Sequence, residues 1–214
     1  MDWHVWLAYF VAAWVIALSP GSGAVLCMSH GLAYGVRQTT ATIVGLQIGL
    51  AVILLVAGAG VGALLLTSAA AFMVVKVLGA AYLLWLGWRQ WCAPVAAPLG
   101  RAEAARAPPL SVRQRVLLGA LTNATNPKGI VFMVAVLPQF IDPLRPLVLQ
   151  LLILLTTSVA VDLVVMHGYA ALAASLSAWL RSVRARRAQN RVFGGVLMAM
   201  GAALLMVDRA TRTG

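Results

Sequence analysis

Six long apolar stretches, separated by short polar connections, run along the chain. The hydrocarbon core of a bilayer is about 30 Å thick, so a spanning helix needs about 20 mainly apolar residues, and each stretch has about that length. The pattern predicts an all-α integral membrane protein with six transmembrane helices. The predicted spans are residues 3–27, 41–66, 69–91, 116–141, 147–171 and 191–208.

The composition agrees with this class and excludes a water-soluble fold. Hydrophobic residues make up 62 % of the 214 residues and charged residues 10 %, and the mean hydropathy is +0.93. A soluble domain of this size does not sustain such values. The first apolar run has no Lys or Arg before it and is longer than the core of a signal peptide, so we expect it to remain in the mature protein.

The net charge of +11 would favour nucleic acid as a partner of a soluble protein, but here the arginines lie between the apolar spans. Eleven of them follow spans one, three and five: Arg37, Arg89, Arg101, Arg106, Arg113, Arg115, Arg181, Arg184, Arg186, Arg187 and Arg191. Arg145, Arg209 and Arg212 fall on the other side. Because arginine-rich connections stay in the cytoplasm, we expect both termini outside it and no nucleic-acid partner.

Two prolines interrupt the first and fourth spans. Proline has no N–H, so in a continuous helix Pro20 leaves the carbonyl of Ile16 unbonded, and Pro127 leaves that of Asn123. Freed backbone groups at membrane depth are tolerated only where protein groups or a watery cavity satisfy them. The two breaks therefore predict a polar site inside the bundle, as in carriers built from discontinuous helices.

A proline-rich and arginine-rich segment, residues 92–114, is typical of a flexible cytoplasmic linker. It divides a single transmembrane domain into two halves of three spans, residues 1–91 and 115–214. The odd number of spans makes the second half enter the membrane from the opposite side. We therefore predict two inverted three-helix repeats, on the basis of this topology and of one proline break in each half.

Polar groups from three spans share one depth in the predicted bundle. Counted from the cytoplasmic ends, residues 19–21, residues 126–128 and Asp162 lie roughly eight to twelve residues in, or about 12 to 18 Å at the helical rise. Charged groups there cost at least about 2.5 kcal/mol each and normally face a cavity or one another. The candidate substrate-binding or coupling residues are Ser19, Pro20, Gly21, Lys76, Asn123, Asn126, Pro127, Lys128 and Asp162.

Each candidate also has a structural interpretation. Asp162 either meets a substrate ammonium and carries a coupling proton, or forms a fixed ion pair with Lys128 or Lys76. Lys128 is placed to attract a carboxylate unless that pair holds it. Lys76 either contributes to the site, forms such a pair or snorkels to the outer surface. Ser19 and the asparagine side chains are suited to bond either a substrate or a freed carbonyl.

Gly45 and Gly49 form a G-x-x-x-G pair on the second span. Such a pair lets two helices approach closely, either within the bundle or between two protomers. A homodimer is therefore one of two expectations for this motif.

Other classes of function have less support in the residues. The alternative that remains is a metal or other ion exporter of similar architecture, but its spans would need clustered ligands, and this chain offers only Asp162, Cys27 and His167. A thiol–disulfide carrier needs two cysteines near the midplane, whereas Cys92 lies near the cytoplasmic surface. A non-transporting assembly subunit does not require two aligned proline breaks. We expect no metal, no cofactor and no enzymatic activity.

Several short motifs are spread over nearly the whole chain: Leu18-Ser19-Pro20-Gly21, Lys76 with residues 79–87, Asn126-Pro127-Lys128, Leu137-Pro138-Gln139-Phe140, Asp162 with Tyr169-Ala170, and Asn190-Arg191 before Gly194-Gly195. Together they resemble the signatures of the LysE/RhtB family of amino-acid exporters. One departure is visible, because Ser22-Gly23 stands where the family commonly has a second proline and an asparagine.

The resemblance implies export of an amino acid or a related small metabolite across the bacterial inner membrane. It also implies a multi-pass protein in the lipid bilayer, driven by an ion gradient. We expect H⁺ as the coupling ion, exchanged at Asp162. The chain has no G-x-x-x-x-G-K-[ST] phosphate loop, which agrees with an energy source other than its own ATPase.

Overall fold

The computed structural model describes residues 1–67, 69–93, 110–175 and 183–206, and every regular element in these ranges is helical. The elements are α1 (Trp3–Leu18), α2 (Ser22–Thr67), α3 (Ala69–Trp91), α4 (Val112–Ala124), α5 (Pro127–Val131), a π-helical turn (Phe132–Val136), a 3₁₀ turn (Leu137–Phe140), α6 (Leu147–Ser175) and α7 (Val183–Met206). The predicted all-α class is confirmed for these ranges.

The predicted break in the first span is present, but the predicted connection after that span is not. α1 ends at Leu18 and α2 begins at Ser22. We expected a connection over residues 28–40, whereas α2 continues through them and bends at Gly35, where φ is 75° and ψ is 168°. Residues with side chains rarely adopt this conformation, so glycine changes the direction of the chain without a loop. Thr39 Oγ1 donates to Gly35 O at 2.8 Å and stabilises the bend.

The fourth predicted span is divided at Pro127. α4 ends at Ala124, and Pro127 is the first residue of α5, a position where its missing N–H costs nothing. We expected the carbonyl of Asn123 to lack a partner, which is wrong, because Asn126 N donates to it at 3.0 Å. After α5 the chain forms the π-helical turn and then the 3₁₀ turn, which ends at Phe140. The rest of the fourth predicted span is therefore not a regular α-helix.

The other predicted boundaries agree within several residues. The third span, residues 69–91, matches α3, and the fifth and sixth correspond to α6 and α7. The predicted linker is too long at its end because Ser111 caps α4 and Gln114 returns the bond, a pair typical of a helix start. Residues 94–109 of that linker, residues 207–208 of the sixth span, and Arg101, Arg106, Arg181, Arg209 and Arg212 lie outside the described residues.

α2 and α4 pack closely through glycines. A methyl group at Gly45 would lie 3.0 Å from Ala120 N, and one at Gly49 would lie 2.8 Å from Ala124 N. Both distances are shorter than normal packing, so only glycine allows these backbones to approach. The G-x-x-x-G pair therefore packs two helices within the protomer, which was one of the two expectations for this motif. A homodimer stays a prediction.

α3 and α7 pack through glycines in the same way. A methyl group at Gly87 would lie 2.6 Å from Gly194 O, and one at Gly194 would lie 2.6 Å from Trp91 N. At the other end of the contact, a methyl group at Gly201 would lie 2.9 Å from Ala80 O. The helices of the second and third predicted spans thus each pack through glycines on a helix from the second half of the chain.

Two helical stretches in the described part of the chain are long and apolar enough to cross a membrane, Ser22–Gly60 and Leu147–Ser175. Three other apolar helices have only 10–17 residues: Trp3–Leu18, Pro127–Phe140 and Asn190–Met206. The first two of these are short because the proline breaks divide the spans that contain them. Length and apolarity alone therefore do not establish six spans, and the division into two repeats stays a prediction.

The glycine contact between α2 and α4 gives a stability prediction. Gly45→Ala is expected to lower the free energy of unfolding by about 1–3 kcal/mol, because the added carbon overlaps backbone atoms that cannot move independently. The measurement is the melting temperature of the purified protein in detergent. Gly168→Ala is the matched control, since a methyl group there would have no atom within 4 Å. Equal melting temperatures for the two variants would contradict the prediction.

Candidate functional site

Lys128 joins the two proline breaks. Its ammonium group donates to Ile16 O at 3.0 Å and to Ser19 O at 2.5 Å. Ile16 carries the carbonyl that Pro20 cannot bond, so a side chain from the second break supplies the donor missing at the first. A lysine ammonium has three N–H donors, and these two bonds leave one for another partner.

The local sequence around Pro127 places Lys128 at this position. Asn126 caps α5, and its side-chain oxygen accepts from Lys128 N at 3.1 Å. This fixes the first turn of α5 beside the end of α1. On the opposite side, a methyl group at Gly21 would lie 3.2 Å from both Cε and Nζ of Lys128. Glycine at that position therefore leaves the lysine side chain the room to reach the carbonyls of α1.

Asp162 lies on α6 and is bonded to Gln47 of α2. Gln47 Nε2 donates to Asp162 Oδ2 at 2.7 Å. Lys128 and Asp162, both among the described residues, do not form an ion pair within 4.0 Å, although their opposite charges interact electrostatically. The fixed Asp162–Lys128 pair that the sequence left open is therefore wrong for this structure.

A cavity with several polar side chains on its wall lies between the two breaks and α6. It is lined by six of the nine predicted site residues: Ser19, Gly21, Asn123, Asn126, Lys128 and Asp162. The cavity volume is about 70 Å³, and one buried water needs about 10–15 Å³. The cavity therefore has room for several waters or a small polar solute. Its remaining lining is mostly apolar, including Ile16, Leu50, Phe132 and Met133.

The three other predicted residues take different positions. Pro20 and Pro127 lie in the breaks, next to residues that line the cavity. Lys76 lies on α3 and is not part of the lining described for the cavity. Its residue exposure is only 4 %, so the expectation that it snorkels to the outer surface is wrong.

The structure adds polar contacts that the sequence analysis did not predict, although Tyr169 stands in one of its motifs. Tyr169 donates from its hydroxyl to Leu18 O at 2.5 Å, so a second carbonyl near the first break is bonded from α6. Tyr9 and Ser158 form a buried hydroxyl pair, and Ser158 lines the cavity. Gln47 was missed because a single glutamine in an apolar span carries no motif. The only signal available for it was its rarity at that depth.

Some polar side chains near the breaks bond the backbone, and others stay available to the cavity. Asn123 is of the first kind. Its Nδ2 donates to Leu46 O at 2.8 Å, which holds α4 against α2. Ser19 differs, because its Oγ is buried and has no hydrogen-bond partner among the described residues. A buried polar atom without a partner is costly, so the Ser19 hydroxyl is available to a solute or water in the cavity.

The structure therefore defines a helical membrane protein with a polar cavity where two broken helices meet, an arrangement typical of secondary carriers. The family model of the LysE type translocators matches residues 14–208. The chain belongs to the LysE type translocator family, and the resemblance noted in its motifs is confirmed.

Individual relatives cover most of the chain. An uncharacterized membrane protein of Vibrio cholerae is 48 % identical over 94 % of this chain and 96 % of its own length. The homoserine/homoserine lactone efflux protein of Salmonella typhimurium is 42 % identical over 98 % of this chain and its full length. The leucine efflux protein of Klebsiella pneumoniae is 39 % identical over 64 % of this chain and 63 % of its own length. No solved structure matches the chain significantly.

Proposed function

We propose that the protein exports amino acids or related small metabolites from the cytoplasm across the bacterial inner membrane, driven by the proton gradient. The observation that carries the proposal is the cavity at the two breaks, which presents Lys128 and Asp162 to one small polar space. The family and two relatives named as efflux proteins for homoserine, homoserine lactone and leucine support the same class of substrate.

The charges of the cavity match those of an amino acid. Asp162 meets the substrate ammonium, and the remaining N–H donor of Lys128 meets the carboxylate where the substrate has one. Homoserine lactone, which the Salmonella typhimurium relative carries in its name, keeps the amine but has no free carboxylate. A site that accepts both forms must recognise the amine, so we assign the larger share of recognition to Asp162.

Asp162 is also the proposed proton carrier. It is the acid that lines the cavity, and it is partly exposed there. A carboxylate that alternately binds a proton and a substrate ammonium couples the two fluxes, because one site cannot hold both at once. Lys128 is not placed to quench this charge with a direct ion pair.

Alternating access would come from rocking of two inverted repeats, residues 1–91 and 115–214. The packing supports this division. α4 packs on α2 near Gly45, and α1 packs on α6 through the Tyr9–Ser158 pair. In the proposed repeat α1 corresponds to α4, α2 to α6 and α3 to α7. The contact between α2 and α4 therefore corresponds to the contact between α6 and α1. The contact between α3 and α7 maps onto itself, as expected for a two-fold relation.

Both termini are proposed to lie outside the cytoplasm, which reporter fusions test directly. Reporters fused after Gly100 and Arg186 are expected to show cytoplasmic activity, and one fused after Gly214 is expected to show periplasmic activity. A C-terminus in the cytoplasm would overturn the six-span arrangement, and the inverted repeat with it.

Export itself is tested in cells that lack their own amino-acid exporters. Cells that express the protein are expected to survive toxic concentrations of L-homoserine, L-homoserine lactone or leucine dipeptides, and to release the preloaded amino acid faster. Cells with the Asp162→Asn variant at the same membrane level are the control. If none of a full set of single amino acids and dipeptides is released faster, the proposal is wrong.

The alternative of a metal or other ion exporter is not favoured. Within the ranges that the structure describes, no group of three or more His, Cys, Asp or Glu side chains is close enough to hold a metal ion. The named efflux relatives also point to amino acids rather than ions.

A further inference from the structure

Gln47 presents an unused acceptor next to Asp162. An ionised carboxylate only accepts hydrogen bonds, so the bond of 2.7 Å to Asp162 Oδ2 fixes the amide nitrogen of Gln47 toward the acid. The amide oxygen must then point away from that bond. Gln47 Oε1 is buried and has no hydrogen-bond partner in the described part of the chain. Gln47 is not itself among the residues that line the cavity, but its neighbour Leu46 and its partner Asp162 are, so the amide lies beside that lining.

A buried acceptor of this kind calls for a donor. Unpaired buried polar groups are rare because they lose their bonds to water and gain none in return. The amide nitrogen of Gln47 stabilises the Asp162 carboxylate, but this bond alone leaves the amide oxygen without a donor. The pair of a carboxylate and a neutral acceptor instead fits a group that carries both a positive charge and more than one N–H.

We propose that Gln47 and Asp162 together form the subsite for a primary ammonium group, and that Gln47 determines the selectivity for it. This inference rests on the proposed export function. A primary ammonium offers three N–H donors, so it pairs with the Asp162 carboxylate and with Gln47 Oε1 and keeps one donor for the Ser19 hydroxyl, which also lacks a partner among the described residues. An N-acylated amine has no charge, and an N-methylated amine loses one donor, so both bind less well.

The two atoms of the Gln47 amide have separate tasks in this subsite. Its nitrogen holds the Asp162 carboxylate in one orientation, and its oxygen receives the substrate. A glutamate at this position would place a second carboxylate against Asp162, and a methionine would supply neither the donor nor the acceptor. Gln47 is therefore a substrate-contacting residue as well as a positioning residue.

The test uses inside-out membrane vesicles that take up radiolabelled L-homoserine on an imposed pH gradient. Four unlabelled compounds are added in turn to test whether they compete for uptake: L-homoserine lactone, N-methyl-L-homoserine, N-acetyl-L-homoserine and 4-hydroxybutanoate. In vesicles with the unaltered protein, the lactone is expected to compete. The N-acetyl compound and 4-hydroxybutanoate are expected not to, and the N-methyl compound is expected to compete weakly.

The variant Gln47→Met, of similar size, is expected to raise the KM for L-homoserine by about tenfold or more, the usual effect of losing a hydrogen bond to a charged group. It is also expected to reduce the preference for homoserine over its N-methyl form. Gln90→Met is the matched control, because Gln90 Nε2 bonds Asn190 Oδ1 at 2.9 Å in the contact between α3 and α7. If Gln47→Met does not reach the membrane, Gln47→Asn replaces it, since a shorter amide also withdraws from Asp162.

Each outcome separates the two proposals. Unchanged KM and unchanged preference in the Gln47 variants overturn the subsite while export stands. Competition by the N-acetyl compound equal to that of homoserine overturns it as well. If vesicles with the unaltered protein take up neither homoserine nor any other amino acid, the export proposal fails first and the subsite fails with it.

Discussion

Replacing Asp162 with asparagine is expected to abolish export driven by a proton gradient, while a weakened exchange of substrate stays measurable at high substrate concentration. The substitution keeps the size of the side chain and its ability to accept from Gln47, but it removes the charge and the site for a proton. Because Asp162 is the acid that lines the cavity between the breaks, we expect no other described residue to replace it as proton carrier.

The measurement compares uptake into inside-out vesicles with and without an imposed pH gradient, followed by exchange of labelled against unlabelled substrate. Gradient-driven uptake should fall to the level of empty vesicles, and exchange should persist with a raised KM, because the asparagine oxygen still accepts a hydrogen bond from the ammonium but carries no charge. Asp142→Asn is the matched control, since Asp142 is a partly exposed acid outside the cavity that pairs with Arg145. Gradient-driven uptake at the unaltered rate would remove Asp162 from the coupling step.

A structural role for Asp162 predicts a different outcome. If its charge mainly balanced that of Lys128, Asp162→Asn would reduce the amount of folded protein, and a second change, Lys128→Met, would restore it. The absence of a direct pair between these two described residues argues against such rescue. Membrane levels of the single and double variants therefore separate coupling from charge balance.

The sequence was sufficient to predict the helical class and the place of the breaks. Apolar runs of spanning length are a strong signal because hydrogen bonding in a bilayer leaves the backbone few alternatives to helix. Pro20 and Pro127 are equally strong signals, since a proline inside such a run must interrupt the ladder. Both predictions depend on local chemistry, and both agree with the helix boundaries observed.

The kink at Gly35 and the start of α4 were missed for opposite reasons. Gly35 looks like many other glycines in the chain, and no local pattern distinguishes the one that adopts a positive φ. The start of α4 did have a local signal, the spacing of Ser111 and Gln114, but the surrounding arginines and prolines favoured a linker. Competing signals, rather than missing ones, caused that error.

The partners within the site were beyond the sequence. Residue types and depth predicted that Ser19, Lys128 and Asp162 would face one space, and all three line the cavity. Depth alone does not say which polar group meets which. The bonds from Lys128 to α1 and from Gln47 to Asp162 join residues more than a hundred positions apart, so they depend on the tertiary packing.

The second large effect on stability and export is expected when Lys128 loses its bonds to the end of α1. Lys128→Met is expected to lower the melting temperature and to reduce export at least about tenfold, because two charge-assisted bonds, each worth about 1.5–3 kcal/mol, are lost together. The methionine keeps most of the packing of the lysine stem. The measurements are the melting temperature in detergent and the rate of substrate uptake at matched membrane levels.

A second variant separates the bonding of α1 from a role in transport. In Pro20→Ala the new residue has an N–H that can donate to Ile16 O, the carbonyl that Lys128 now serves. The double variant, Pro20→Ala with Lys128→Met, is therefore expected to recover part of the lost melting temperature. It is not expected to recover export, because the cavity has lost its positive charge and the break that shapes it. Recovery of export together with stability would mean that Lys128 serves only to bond the end of α1, and the carboxylate of the substrate would then need another partner.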